Sequence, residues 1–447
     1  MRKSTLILLV VVAALGALIF FWERKEPSTD ERAESERQFV DFKSDAVSEI
    51  TRTGFQPVTL KKGKDSRWSM AGPVEDVADG SAVQGFLDRI RTARIERKVD
   101  RDVPAKTLGL ASPRAVWTFT TASGAVKIEL GGKAALDAGV YARAGGTAVL
   151  LPASLQSLLL KPASEFRLRE LLPVGTQQIK AFSLVRKDGP PLDFERTGGD
   201  FWNVSKPYSD WGSADKLQDA LDDVSLCPVF GFVGEEVKNL SQCGLDPART
   251  EMHLTLTDGG KVEVRLGAPV PDSKPENKLV YAWASDRPSV MKVSMNSLKN
   301  MEKAPDYFRS MACFRHDLYD AGEIDIQGLY RVKLVRDQKK GWRFVVPARP
   351  AAGADAPTLA AGISGLRGGS AVPIQGSPPP GLASPVLTVT LKGSGFKEIL
   401  KVGSEVDGTR YALPGGRKAA LVLDKDSWQR VQAALRLATG AGRGKKP

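Results

Sequence analysis

The chain has 447 residues, 42% of them hydrophobic, enough for ordinary cores and, at roughly 150 residues per domain, for about three of them. A net charge of +12 speaks to solubility and loose association with polyanions, and basic surface spread over several domains is the plainer reading. Two His and three Cys, with no Cys pair at the close spacing of a zinc or redox motif, argue against a metal site built from imidazoles.

Met1-Arg2-Lys3 is basic, and residues 4–22 then run without a charge, rich in Leu, Val, Ile, Ala and Phe. As a helix those 19 residues span about 28 Å, the thickness of a bilayer core. Phe20, Phe21 and Trp22 at the end suit an interfacial belt. The run is longer than a signal-peptide core, and no small-x-small cleavage site precedes Trp22. Residues 1–22 are therefore read as a signal anchor or transmembrane helix, and residues 23–38 as a charged stalk. The expected location is the inner membrane, crossed once, with the bulk of the chain in the periplasm.

The rest is organised by Trp68…Pro73, which returns as Trp202…Pro207 and Trp342…Pro347. In the first copy, residues 39–172, a hairpin carrying Ile50, Leu60 and Trp68 leads to a helix. Its apolar positions Val83, Phe86, Leu87 and Ile90 read i, i+3, i+4, i+7, and Asp79 stands where an N-cap belongs. The helix is expected to run to Ile95, with Arg89, Arg91, Arg94, Arg97 and Lys98 as a solvated basic face. Next come Gly109-Leu110-Ala111-Ser112-Pro113, an alternating strand at residues 126–131, Tyr141-Ala142 and a closing helix at residues 154–160.

The second copy, residues 173–316, repeats this order: Ser213 as cap, then Leu217, Ala220, Leu221 and Val224, then Gly244-Leu245-Asp246-Pro247, a strand at residues 262–267 and Tyr281-Ala282. Phe166-Arg167 and Phe308-Arg309 end the two copies in equivalent places. The third, residues 317–437, is read as degenerate. Its helix is shorter, with Asp355 as cap and Leu359, Ile363 and Leu366 as its apolar set. Residues 365–385 read as an irregular Gly/Pro/Ser-rich loop, and Leu382-Ala383-Ser384-Pro385 stands in place of Gly-Leu-x-x-Pro. A last helix around residues 427–437 precedes a basic tail, 438–447. The period is 134 residues, then 140 (Trp68 to Trp202 to Trp342), longer than solenoid repeats of roughly 20–50. The fold class expected is α+β: an N-terminal transmembrane helix followed by three tandem small domains, each a hairpin, helix, β-meander and closing helix.

Chemistry is sparse. Ser213-x-x-Lys216 matches a penicillin-recognition motif, but Ser213 sits at a helix cap and the partner motifs are missing. Trp68, Trp202 and Trp342 read as core rather than stacking platforms. His253 lies on the wet face of a strand and His316 in a linker, neither with a visible partner. Cys227 and Cys243 are compatible with a disulfide or with burial as small apolar residues. No catalytic, cofactor-binding or metal-binding residue is expected, no cofactor and no nucleic-acid partner.

Trp-x-x-x-x-Pro, a capped helix, Gly-Leu-x-x-Pro, a strand ending in Leu-Gly, and Tyr-Ala together resemble a bacterial envelope family, domain of unknown function 4340. The resemblance rests on Trp68, Pro73, Gly109, Leu110, Pro113, Gly131 and Tyr141, and on Trp202, Pro207, Gly244, Leu245, Pro247, Gly267 and Tyr281. It implies a non-catalytic, membrane-anchored extracytoplasmic protein. Its implied role is that of an auxiliary or scaffold of a gliding-motility-type ABC transport system, with an ABC permease as partner. The alternative is a module binding envelope polysaccharide or peptidoglycan.

Overall fold

The computed structural model describes residues 37–135, 138–233, 239–271, 273–274, 276–337 and 339–440. By its contacts the chain divides into two compact units. The first holds the described residues up to Arg169, with Val233 and Arg287–Ser289. The second holds Glu170–Phe232, Asn239–Asp286 and the described residues from Val290 onward.

In the first unit, β1 (Val47–Gly54), β2 (Val58–Lys62), β3 (Trp68–Gly72) and β4 (Glu75–Val77) are followed by α1 (Gly80–Arg91). Then come β5 (Arg97–Lys98), β6 (Ala115–Thr121), β7 (Gly124–Lys133), β8 (Val140–Ala144), β9 (Thr147–Leu151) and α2 (Ala153–Leu159). The nine strands form one antiparallel sheet, ordered β4-β3-β2-β1-β6-β7-β8-β9-β5. Ile50 pairs with Phe119 and Arg52 with Trp117, which fuses the opening hairpin and the later meander.

The second sheet has the same order. Its strands are β10 (Ile179–Arg186), β11 (Leu192–Gly198), β12 (Phe201–Lys206), β13 (Asp210–Gly212), β14 (Val229–Val233), β15 (Thr250–Leu256), β16 (Lys261–Pro269), β17 (Leu279–Ala284) and β18 (Val290–Ser294). Helix α3 (Ala214–Ser225) lies between β13 and β14 in sequence. The third sheet consists of β19 (Ala321–Gly328), β20 (Val332–Asp337), β21 (Gly341–Val346), β22 (Gly368–Pro373), β23 (Leu387–Gly393), β24 (Phe396–Val406), β25 (Thr409–Pro414) and β26 (Ala419–Leu423). Helices α4 (Ala356–Ser364) and α5 (Lys425–Thr439) accompany it. It repeats the order with eight strands: no strand among the described residues occupies the place of β4 and β13.

The expectation of an α+β protein behind a transmembrane helix is corrected by these sheets: the architecture is mainly antiparallel β, with few helices per copy. The reason is the β1–β6 type of pairing, which joins a hairpin and a meander into one broad sheet where local patterning shows two separate elements. The expected inner-membrane location is corrected too. Among the described residues no helix is long and apolar enough to cross a membrane. Residues 1–36, which include the segment read as the anchor and most of the stalk, lie outside the described residues, as does the tail from 441.

Each sheet buries its face beneath a helix. In α1 the buried positions are Val83, Phe86, Leu87 and Ile90; in α3 they are Leu217, Ala220, Leu221, Val224 and Ser225. Asp79 accepts from the Ala82 amide at 2.9 Å and Asp355 from that of Thr358 at 2.8 Å, as N-caps do. Ser213 holds the cap position of α3 without a side-chain bond. Helix α1 stops at Arg91, short of Ile95, where Thr92 bonds back to the Asp88 carbonyl. Arg97 and Lys98 instead pair as strand β5 with Leu150 and Val149. Trp68 and Trp202 are core, 6% and 2% exposed, while Trp342 is half-buried.

Two further readings of the third copy are corrected. Part of the stretch read as a loop is β22, an edge strand on β26, in the place of β5 and β14. Gly381 completes Gly381-Leu382-Ala383-Ser384-Pro385, the same five residues as Gly109–Pro113, so the copy does carry Gly-Leu-x-x-Pro. Gly109, Gly244 and Gly381 all have positive φ (66°, 62° and 81°). A Cβ on them would lie 2.6 Å from the Gly132 nitrogen, 2.9 Å from the Ala268 nitrogen and 2.6 Å from the Ser404 oxygen. The motif is therefore a left-handed turn pressed against the backbone of the strand that carries Leu-Gly or Val-Gly, and that strand runs on past the glycine.

Candidate functional site

The most elaborate polar chemistry in the second unit is a buried carboxylate between two guanidinium groups. Asp210 opens β13. Arg309 directly follows the buried Phe308, and Arg417 lies in the turn between β25 and β26. Arg417 donates from Nε to Asp210 Oδ1 at 2.7 Å and from Nη2 to Oδ2 at 2.9 Å. Arg309 Nε stands 3.2 Å from Oδ2. Arg417 also donates to the carbonyls of Ser310 and Ala312. Residues 309–313 form an extended strap. The Ser310 amide bonds to the Trp211 carbonyl on one side, and the Gly368 amide to the Met311 carbonyl on the other. The strap thus hydrogen-bonds the edge of the second sheet to that of the third.

The first unit carries the same three roles. Asp76, on β4, accepts from Arg167 Nη2 at 2.6 Å and Nε at 2.8 Å, and from Arg287 Nε at 2.9 Å. Arg167 also donates to Ser289 Oγ, and Arg287 to the Leu168 carbonyl. All these side chains are buried. Burial alone would push the Asp76 carboxyl up. The hydrogen bonds and charges of Arg287 and Arg167 outweigh it and hold the group below the usual carboxylate range.

Beside the Asp210 cluster lies a cleft of about 810 Å³. Its wall is a series of stacks. Arg417 and Arg315 both lie over the Trp211 ring, at 5.0 and 4.8 Å, and Arg315 also over Phe201. His316 meets Phe201 edge-on and stacks flat on Phe396 at 3.7 Å. Glu398 binds the His316 ring at 2.5 Å and accepts the Arg315 amide at 2.8 Å. Arg315 also binds the Asn203 side-chain oxygen, and burial lowers its pKa. The aromatic faces of the cleft are thus covered by the protein's own side chains. Asp200, Asp215, Asp317 and Asp320 line the cleft as exposed side chains.

The residues singled out in sequence are placed as follows. Lys216 lies over the Tyr307 ring at 4.7 Å, so Ser213 and Lys216 form no acid–base pair. His253 is exposed and groups with Glu251 and Glu263 within 4.8 Å, a set able to face a cation. Glu263, however, already accepts from Arg265 at 2.6 Å, which makes this a cross-strand ion cluster on the sheet surface. Cys227, Cys243 and Cys313 are free and buried. The Asp–Arg clusters were missed. Their signal was present: an Asp eight residues after Trp68 and after Trp202, and an Arg six residues after Tyr281 and after Tyr411.

Fold and clusters define a tandem β-sheet repeat protein whose buried ionic groups are spent on joints. Residues 68–246 match the family described as Domain of unknown function (DUF4340), beginning at the Trp of the first copy and ending beside Pro247 in the second. No curated protein matches the chain.

Proposed function

We propose that this protein is a non-catalytic interaction scaffold serving as an auxiliary component of an ABC-type transport system. The observation that carries the reading is the use of the buried polar groups. Arg309 and Arg417 both pair with Asp210, and Arg417 also holds the strap between two sheets, a joint that fixes the spacing of modules. Two side chains of the adjoining cleft are committed in the same way: His316 to Glu398, and Arg315 to Asn203 and two rings. A side-chain nucleophile activated by an imidazole needs that ring within reach and free to take its proton. Here the imidazole is held between Glu398 and Phe396. The transport role comes from the family resemblance. The polysaccharide alternative draws little support from the Trp residues, since Trp68 and Trp202 are core.

The test is crosslinking in the native host followed by affinity purification and mass spectrometry. Recovery of ABC permease and ATPase subunits is the expected result. Retention on purified wall polymer with no transporter subunit recovered would overturn the reading.

A further inference from the structure

Resting on that reading of the chain as a scaffold, we propose that the outer edge of β21 is a docking site for an extended acidic segment of a partner protein, which adds to the third sheet as its ninth strand. In the first two sheets the equivalent edge is covered. Ser69, Met70 and Ala71 of β3 pair with Val77, Asp76 and Glu75. Trp202, Asn203 and Val204 of β12 pair with Gly212, Trp211 and Asp210. In the third sheet β21 stands at the end of the order, with β20 as its one strand partner among the described residues. Eight residues after Trp342, where Asp76 and Asp210 stand in the other copies, the sequence has Pro350.

The missing strand leaves a physical trace. Trp68 and Met70 are buried on β3, and Trp202 and Val204 on β12. Trp342 and Phe344, their counterparts on β21, are only half-buried, and Val345 is exposed. A row of unpaired backbone groups beside a half-covered apolar stripe is the geometry that strand addition uses: main-chain bonds give affinity and alternate side chains give selectivity.

Charge selects the occupant. Lys339, Lys340, Arg343 and Arg349 are all exposed on or beside this strand. Two copies of the same edge would set like charges opposite each other, which disfavours self-pairing. An acidic strand gains from the same charges. The chain itself supplies strands of the right length, for those that cover this edge elsewhere are Glu75-Asp76-Val77 and Asp210-Trp211-Gly212.

The test uses the full chain and a synthetic peptide of its own residues 73–79, Pro-Val-Glu-Asp-Val-Ala-Asp. Hydrogen exchange is followed by mass spectrometry. Exchange across 341–346 is expected to slow about tenfold or more when the peptide is added, as strand pairing protects amides. Arg343→Glu should abolish the protection, and so should a peptide with Lys at both acidic positions of its Glu-Asp pair. No slowing at millimolar peptide, or equal slowing by the Lys peptide on the unaltered protein, would overturn the proposal. The second outcome needs no variant of the chain. A failed crosslinking search for transporter subunits would sink the transport role and leave this result standing. A failed peptide with those subunits recovered would sink the edge alone.

Discussion

Arg417 grips Asp210 with two hydrogen bonds, at 2.7 and 2.9 Å, across 207 residues of chain. One residue belongs to the second sheet's edge strand and the other to a turn of the third. Removing one partner of a buried ion pair leaves the other uncompensated, at a cost of about 3–5 kcal/mol. Arg417→Met is expected to destabilise the second unit by that order. Asp210→Asn should cost at least as much, because it strands Arg309 and Arg417 together. Denaturation followed by Trp fluorescence is the measurement, since Trp211 lies against Arg417. A double-mutant cycle with a coupling energy below about 0.5 kcal/mol would mean that the pair is incidental.

The Asp76 cluster predicts an acid limb to stability. Its folded carboxyl is held below the range of the unfolded chain, about 3.9. On acidification the unfolded chain therefore binds this proton first. The stabilisation is complete above about pH 4 and is lost as pH falls through the folded value. The denaturation midpoint of the first unit should drop more steeply below about pH 4 in the wild-type chain than in Asp76→Asn. Parallel pH profiles would show that Asp76 does not carry the effect.

How much of this was legible in sequence depended on whether a signal was local. The buried face of α1 was readable because Val83, Phe86, Leu87 and Ile90 lie within eight residues, and Asp79 advertises its own cap. The single broad sheet was not readable, because it depends on Ile50 meeting Phe119, and a strand's partner is not written in its own alternation. The joints were half legible. Phe166-Arg167 and Phe308-Arg309 stand out as repeats, but their shared carboxylates come from short strands of three residues, Glu75–Val77 and Asp210–Gly212, too brief to show a period. Likewise His316 looked solitary, since Glu398 is 82 residues away.

The turn glycines give a comparison across the three copies. Gly109→Ala, Gly244→Ala and Gly381→Ala each place a Cβ in a left-handed backbone and against the facing strand. The expected loss exceeds about 1 kcal/mol in each case, beyond the backbone cost alone, because the neighbour is main chain and has no rotamer to yield. Thermal unfolding of the three variants checks this. If Gly381→Ala were neutral while the other two were destabilising, the third copy's turn would be looser than its geometry says.

The cysteines supply the last prediction. Burial pushes the thiols of Cys227 and Cys313 up to about 12 and raises that of Cys243 as well. At pH 8 a thiol of that kind is ionised in about one molecule in ten thousand, and the thiolate is the reactive species. The native chain should therefore resist maleimide labelling, with Cys243 the first to react because it is the least enclosed of the three, at 7% exposed. In denaturant without reductant, three thiols per chain are expected, since all three cysteines are free. A count of one would instead mean that Cys227 and Cys243 are bonded. That would require rearrangement around Leu171, whose amide bonds to the Cys227 carbonyl, and around the turn at Gly244.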